Sequence, residues 1–405
     1  MTHCSHTPGM IRLDQALERL LQACPDCLEV EFVPVTQALG RVLAEEVASP
    51  IAVPAYDNSA MDGYALRVAD LAAGRRLPVA QWIPAGKNPE PLASGSVARV
   101  FTGAPIPPGA DAVVMQERCV EADGMVELPE GIALGEHIRC AGEDVQVGDV
   151  VLQEGVRLRP QDLGMAASVG LAELPVRRRL KVALLTTGDE LAQPGEALRP
   201  GQIYDSNGPM IAALLAQLGC ECIGPRGLPD DAAATRAALA QAAEEADVIV
   251  TTGGVSVGEE DHIRPAVEAL GSIDMWRVAI KPGKPFAFGR VGDTPLLGLP
   301  GNPSSSFVTF LILARPFLCR MQGRHAWAGP EFLLTAAFKH DRPDPKREEF
   351  LRARLTQGVV EIYPHQGSGV LSSAAWAHGL VRVAPGRKIQ PRDVVPYIPL
   401  SHLLS

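Results

Sequence analysis

Residues 247–261 read DVIVTTGGVSVGEED, and this stretch decides the fold. Val248-Ile249-Val250 is a short, unbroken apolar run, the pattern of a strand buried on both faces. It breaks at Thr251-Thr252-Gly253-Gly254, passes Ser256 and Gly258, and ends in Glu259, Glu260 and Asp261. Small residues let a ligand approach the main chain, and amide groups bared in such a turn can hold an oxyanion. The acids that follow suit a hard cation such as Mg²⁺. Together these features fit nucleotide-phosphate chemistry. Taken alone, the stretch fits a solvated glycine loop with a charged tip equally well.

Working outward, the pattern from Leu180 to about Leu318 alternates strand and helix. KVALLTTGDEL (181–191) is a strand followed by a polar loop. Asp205-Ser206-Asn207-Gly208-Pro209 opens a helix that runs to Leu218, and Gly219 closes it. Cys222-Ile223 reads as an edge strand. Asp230-Asp231 caps an alanine-rich helix ending near Ala246. Further helices are predicted near Ile263–Leu270 and from Gly301-Asn302-Pro303 onward, with strands at Met275–Ile280, Phe286–Arg290 and Pro295–Gly298. Alternating strands and helices imply a parallel, doubly wound sheet. Thr-Thr-Gly recurs at 186–188 and 251–253, which reads as two similar strand ends rather than a duplication.

The flanks have a different character. Residues 11–23 (IRLDQALERLLQA) carry apolar side chains at helical spacing. Thr36 to Ala48 reads as a second, shorter helix that contains Gly40, and Pro50 and Pro54 then force an extended path. Residues 56–135 are rich in Pro and Gly with short apolar runs, the pattern of a small β unit. Residues 145–158 alternate around Gly148-Asp149, a hairpin signal, and a short helix from Gln161 to Val169 follows Pro160. After about His325, short strand-like runs return, which predicts a terminal β-barrel or sandwich.

Composition narrows the class. A chain of 405 residues exceeds one ordinary core, so several domains are expected. With 46% hydrophobic and 21% charged residues it is globular, and a formal charge of −10 argues against a nucleic-acid partner. The first ten residues lack a secretory pattern, and the apolar run from Phe307 to Leu313 is too short to span a bilayer, so no membrane association and a cytoplasmic location are expected. The eight cysteines are then expected as reduced thiols. Cys24-Pro25-Asp26-Cys27 has no second pair at zinc spacing.

In a doubly wound sheet, ligands bind beyond the carboxyl ends of the strands. Four loops are predicted there: 186–191, 251–261, Lys281-Pro282-Gly283-Lys284-Pro285, and Leu299-Pro300-Gly301-Asn302-Pro303-Ser304-Ser305-Ser306. Asn302 suits an N-cap and Pro303 a first helical position, so free amides at Ser304 and Ser305 are expected to face an anion. Lys281 and Lys284 are expected to present two cations to a phosphate or another oxyanion. Glu190, Asp205, Asp230 and Asp261 fall at the same sheet edge, where a metal or the lysines would offset their repulsion. Asp230 and Asp205 equally suit plain capping and turn roles.

Eleven segments in this order resemble one family: DNSAMDGYA (57–65), TGAP (102–105), MQE (115–117), GED (142–144), TTGDEL (186–191), YDSNGPM (204–210), LPDD (228–231), TTGGVSVGEED (251–261), KPGKPFAFG (281–289), LPGNPSS (299–305) and QGSGVLSS (366–373). The chain is similar to the molybdopterin molybdenumtransferases, which include bacterial MoeA-type enzymes and the gephyrin E-domain. The resemblance covers nearly the whole chain. It implies a multidomain α/β protein: a discontinuous α+β linker domain (1–50 plus 137–178), a β-rich insertion (51–136), a doubly wound αβ core like the pathway's adenylyltransferase (179–325), and a C-terminal β-barrel domain (326–405). It further implies a homodimer, with the active cleft between the αβ domain of one subunit and the insertion of the other.

The implied reaction is transfer of molybdenum from molybdate into adenylylated molybdopterin, with release of AMP and with Mg²⁺ as cofactor. By motif match, Asp62, Thr102, Asp144, Glu190, Asp230 and Asp261 are the expected catalytic residues, and Glu190, Asp230 and Asp261 the expected Mg²⁺ ligands. Gly253, Gly254, Ser256, Lys281, Lys284, Pro300, Pro303 and Ser304 are expected to bind substrate or anion. The molybdopterin adenylyltransferase of the same pathway is a partner to be tested. Competing readings are a tungsten-inserting variant and a scaffold protein without catalysis. The acidic and lysine positions are kept, which favours catalysis.

Overall fold

The structure is a computed structural model that describes residues 10–229, 231–254, 262–325 and 329–404. The expectations at Asp230, Ser256 and Asp261 lie outside the described residues, as do those for Gly258, Glu259 and Glu260.

The opening stretch does form a central strand. Val248–Thr252 is buried along its whole length. It sits third in a six-stranded sheet ordered Glu221–Leu228, Lys181–Thr187, Val248–Thr252, Thr294–Leu299, Pro285–Val291 and Gly271–Arg277. The first four strands are parallel, and Glu221–Leu228 is the edge strand expected around Cys222-Ile223. The last two strands are antiparallel to their neighbours, so the sheet is mixed rather than wholly parallel. The cause is connection length: only Gly292-Asp293 separates Pro285–Val291 from Thr294–Leu299, and a two-residue link can join only antiparallel strands. Thr186 pairs in register with Thr252, so the two Thr-Thr-Gly segments are neighbouring strand ends.

Helices Asn207–Gln217, Ala232–Glu245, Ile263–Leu270 and Pro303–Thr309 cover the sheet. Gly219 takes a φ of 81° just past the first, and the Asp231 carboxylate accepts from Ala234 N at 2.7 Å to start the second. The fourth continues through a π turn, Phe310–Ala314, into Arg315–Met321. Phe310 and Phe317 of this composite helix share one buried cluster with Val182, Leu184, Val250, Phe286 and Leu297 of the sheet.

The helix expected at the N-terminal end is present as Leu13–Gln22, with Leu13, Ala16 and Leu20 buried. The helix expected over Thr36 to Ala48 is not. That segment holds a single 3₁₀ turn, Val35–Gln37, then isolated bridges from Val42 to Arg157 and from Leu43 to Val176, then the strand Val47–Ala48. Gly40 takes a φ of 73°, which ends any helix there, and its amide donates to Leu158 O. The hairpin expected over 145–158 is also absent. The turn forms at Gly148-Asp149, but its flanks pair with another segment: Val145 with Val53, and Val150–Leu152 with Val47–Ala48. The helix expected after Pro160 spans Pro160–Ser168.

The stretch expected as a β unit holds a six-stranded sheet ordered Ala112–Met115, Gly63–Leu66, Val97–Val100, Arg76–Ile83, Met125–Glu127 and Val120–Ala122. The C-terminal strands close into a barrel of five: Glu348–Thr356, Val359–Ile362, Phe332–Ala336, Val394–Pro399 and Gly379–Val383, the last pairing back to the first. A sixth short strand, Ile280–Lys281, leaves the αβ unit and pairs in parallel with Glu348-Glu349 of the barrel. Among the described residues, no helix is long and apolar enough to cross a membrane.

Candidate functional site

A cleft of about 860 Å³ opens at the carboxyl ends of the parallel strands. Of the expected site residues, Glu190, Gly253, Gly254, Lys281, Lys284, Pro300 and Pro303 line it. Its floor is glycine because the backbones crowd there. Gly253 has a φ of 86°, and a Cβ on it would lie 2.7 Å from Thr187 Oγ1 and 3.0 Å from Thr187 O. The Gly253 amide donates to Leu299 O at 3.1 Å, so that hydrogen is engaged within the sheet edge rather than offered to a ligand. The Glu190 carboxylate folds back over Gly188, where a Cβ would meet Oε2 at 2.5 Å.

The two lysines differ. Lys281 Nζ pairs with Glu349 Oε1 at 2.6 Å, and Glu349 is 1% exposed and also bonds His340 Nε2. Lys281 is therefore tied to the barrel while it also lines the cleft. Lys284 has no ion-pair partner among the described residues, and it lines the cleft. A second cation comes from the barrel: Arg347 lines the cleft and is held by Asp344, its Nε donating to Oδ2 at 2.7 Å.

The expectation of bare amides at Ser304 and Ser305 is corrected. Both donate to Ser368 O, at 2.9 and 3.3 Å, so a barrel carbonyl occupies the place foreseen for an anion. Ser304 is fully buried, its hydroxyl donates to Val370 O, and Ser305 lines the cleft in its stead. Asn302 sits at the N-cap position without a side-chain capping bond. Asn207 Nδ2 donates to Gly301 O at 2.7 Å and steadies the loop from the far side. Asp205 stays out of the cleft lining; its Oδ1 accepts from Gly208 N in a turn.

Asp62, Thr102 and Asp144 do not line this cleft. Asp62 Oδ1 accepts from Thr102 N at 2.7 Å and from Thr102 Oγ1 at 2.8 Å. The Thr102 amide, then its hydroxyl, hold the Asp62 carboxyl below its ordinary range. Thr102→Val removes the hydroxyl bond and leaves the amide bond. The Asp62 titration midpoint, followed by carboxyl NMR, is expected to move up toward the ordinary value; an unmoved midpoint would show that the hydroxyl has no influence. Asp144 is exposed, and its amide donates to Val53 O.

Sequence reasoning gives no role to Arg347, Gln366, Gly367, Ser368 or His262, all of which line the cleft. The signal available for three of them is their place in QGSGVLSS (366–373).

Residues 11–170 match the family model described as "MoeA N-terminal region (domain I and II)", 183–320 match "Probable molybdopterin binding domain", and 336–400 match "MoeA C-terminal region (domain IV)". The chain is 40% identical to the molybdopterin molybdenumtransferase of Haemophilus influenzae, over 98% of this chain and 100% of that protein. It is 39% identical to the molybdopterin molybdenumtransferase of Synechococcus elongatus, over 85% of this chain and 88% of that one. The crystal structure of the molybdopterin biosynthesis moeA protein from Pyrococcus horikoshii OT3 superposes with a TM-score of 0.84 at 29% identity, covering 96% of this chain and 100% of that one. The chain belongs to the molybdopterin molybdenumtransferase family.

Proposed function

We propose that the cleft binds adenylylated molybdopterin together with molybdate, and that the chain inserts molybdenum into the pterin dithiolene as AMP leaves. The observation that carries this reading is the meeting, in one cleft, of crowded strand-end glycines, the Glu190 carboxylate, and the Lys284 and Arg347 cations. Lys284 and Arg347 would hold molybdate, an anion, while Gly254 and the Pro300–Pro303 loop would shape the wall against the substrate phosphate.

The Glu190 carboxylate has no hydrogen-bond or ion-pair partner among the described residues, and no group of three or more His, Cys, Asp or Glu able to hold a metal occurs among them. One free carboxylate fits Mg²⁺ in the mode in which the ion takes its other ligands from water and substrate phosphates. Asp230 and Asp261 would add to that set. Bound there, Mg²⁺ would offset charge on the phosphoryl oxygens during cleavage of the anhydride.

The same reading takes the active protein as a cytoplasmic homodimer, with Asp62, Thr102 and Asp144 of one subunit completing the cleft of the other. Its support is that Asp62 is a carboxylate held ionised outside the cleft of its own chain. Close by in the chain, Phe101 packs at a tilt against Trp82, a large aromatic that is 57% exposed. On the same reading the chain divides into a discontinuous linker domain (1–50 plus 137–178), an insertion (51–136), an αβ core (179–325) and a terminal barrel domain (326–405).

The test is to mix the purified protein with adenylylated molybdopterin, Mg²⁺ and molybdate or tungstate, then measure AMP released and metal kept on the pterin. AMP release matched by retained molybdenum is expected; no release would overturn the reading. Mixed dimers of Asp62→Ala and Glu190→Ala subunits are expected to recover part of the activity that each variant lacks alone. No recovery would count against a shared cleft.

A further inference from the structure

A second cavity, also of about 860 Å³, runs along the helix Leu13–Gln22 and the loop that follows it. Cys24 and Cys27 both line it. They flank Pro25-Asp26 in residues 24–29, which form neither helix nor strand. Both are free thiols: Cys24 is half-buried against the core cluster of the αβ sheet, and Cys27 is exposed.

This loop is a joint between two units. The helix before it buries Leu13, Ala16 and Leu20 in the cluster that also holds Val182 and Val250 of the αβ sheet. The strand after it, Val30–Pro34, pairs with Glu173–Arg177. Both ends are pinned: Arg290 Nη2 donates to Ala23 O at 3.0 Å, and Arg177 Nη1 donates to Leu28 O at 2.9 Å. A Cβ on Gly323 would lie 3.4 Å from Arg177 Nε and 3.6 Å from Cys27 Sγ, so the exposed thiol sits beside the pinning arginine. A bridge between the two cysteines closes within the pinned loop and leaves the helix and the strand in place.

The surroundings disfavour a thiolate at the inner cysteine. Burial pushes the Cys24 thiol up to about 11; Arg320 opposes the rise and Cys27 adds to it. The place just past a helix C-terminus acts in the same direction, because the carbonyl end of a helix repels an anion. A pair at a helix N-terminus is stabilised as thiolate and is easily reduced; a pair at the opposite end lacks that stabilisation. Access then divides the roles, with Cys27 meeting an incoming reagent and Cys24 behind it.

We propose that Cys24 and Cys27 are a thiol–disulfide modification site, oxidised by a low-molecular-weight disulfide. The Cys27 thiolate attacks one sulfur of that disulfide, its S–S bond breaks, and one thiol leaves. Cys24 gives its proton to solvent and attacks the Cys27 sulfur, and the second thiol leaves. The cysteine pair loses two electrons and two protons, and the incoming disulfide is reduced to two thiols. On the rim, Asp14 is paired with Arg12, and Glu18 and Asp26 outweigh Arg320. That balance favours a disulfide bearing ammonium groups, which makes cystamine the probe.

The experiment exposes the full chain to cystamine, alkylates the remaining thiols after an acid quench, and maps the peptides by mass spectrometry. Exposed Cys140 is the internal comparison. The 24–27 peptide is expected lighter by two hydrogens and free of adduct, and excess cysteamine is expected to reverse the change, while Cys140 carries a cysteamine adduct. Cys24→Ser is expected to trap the adduct on Cys27. Cys27→Ser is expected to slow loss of the Cys24 thiol about 10-fold or more. An adduct that persists on Cys27 of the wild type, or two unreacted thiols there once Cys140 has reacted, would overturn the proposal. Should either variant fail to fold, the wild-type map decides alone.

Discussion

Glu190→Ala is expected to lower molybdenum insertion about 100-fold or more, a loss of roughly 2.7 kcal/mol at 1.36 kcal/mol per tenfold. Glu190 brings a carboxylate into the cleft from the loop after Lys181–Thr187, and that carboxylate has no partner among the described residues to keep it there for stability alone. Its removal should therefore cost activity while leaving circular dichroism and the thermal midpoint near those of the wild type. If it ligates Mg²⁺, the variant should also need more Mg²⁺ for half-maximal AMP release. Near-normal turnover with an unchanged Mg²⁺ requirement would remove Glu190 from the reaction.

Gly253→Ala is expected to damage both stability and activity. A φ of 86° disfavours any L side chain by about 1–2 kcal/mol. The new methyl would also lie 2.7 Å from Thr187 Oγ1 and 3.0 Å from Thr187 O, and the main-chain oxygen belongs to a strand paired on both sides. Forcing an atom into packed space costs about 1–3 kcal/mol more. Gly195→Ala separates the two effects: φ there is 99°, with nothing within 4 Å of the added Cβ. Chemical denaturation should show the larger loss for Gly253→Ala. Equal losses at the two positions would mean that the strand ends can part, and that the cleft floor is softer than its geometry implies.

The αβ sheet is legible because its signals are local. Val248-Ile249-Val250 is apolar throughout since both faces are covered, and Gly219 and Asp231 end and start helices through contacts within a few residues. Where pattern and structure part, the deciding partners are distant in the chain. Thr36 to Ala48 has helical spacing, yet its amides and carbonyls find partners at 156–158 and 175–177. The turn at Gly148-Asp149 forms as expected, while the strand it serves lies at 47–53. In the site, the positions of Glu190, Gly253 and Lys284 follow from strand order. The pairing of Lys281 with Glu349, and the seating of Ser368 O on Ser304 and Ser305, join residues more than sixty positions apart, and nothing in either segment announces the other.

The short strand Ile280–Lys281 belongs by sequence to one unit and by hydrogen bonding to another. The barrel is consequently not a detachable appendage. Grafting the barrel of a relative onto this chain would succeed only if the splice carried 280–285 along with His340, Arg347, Glu349 and the 366–368 loop, because the seam between the modules runs through the cleft and not beside it.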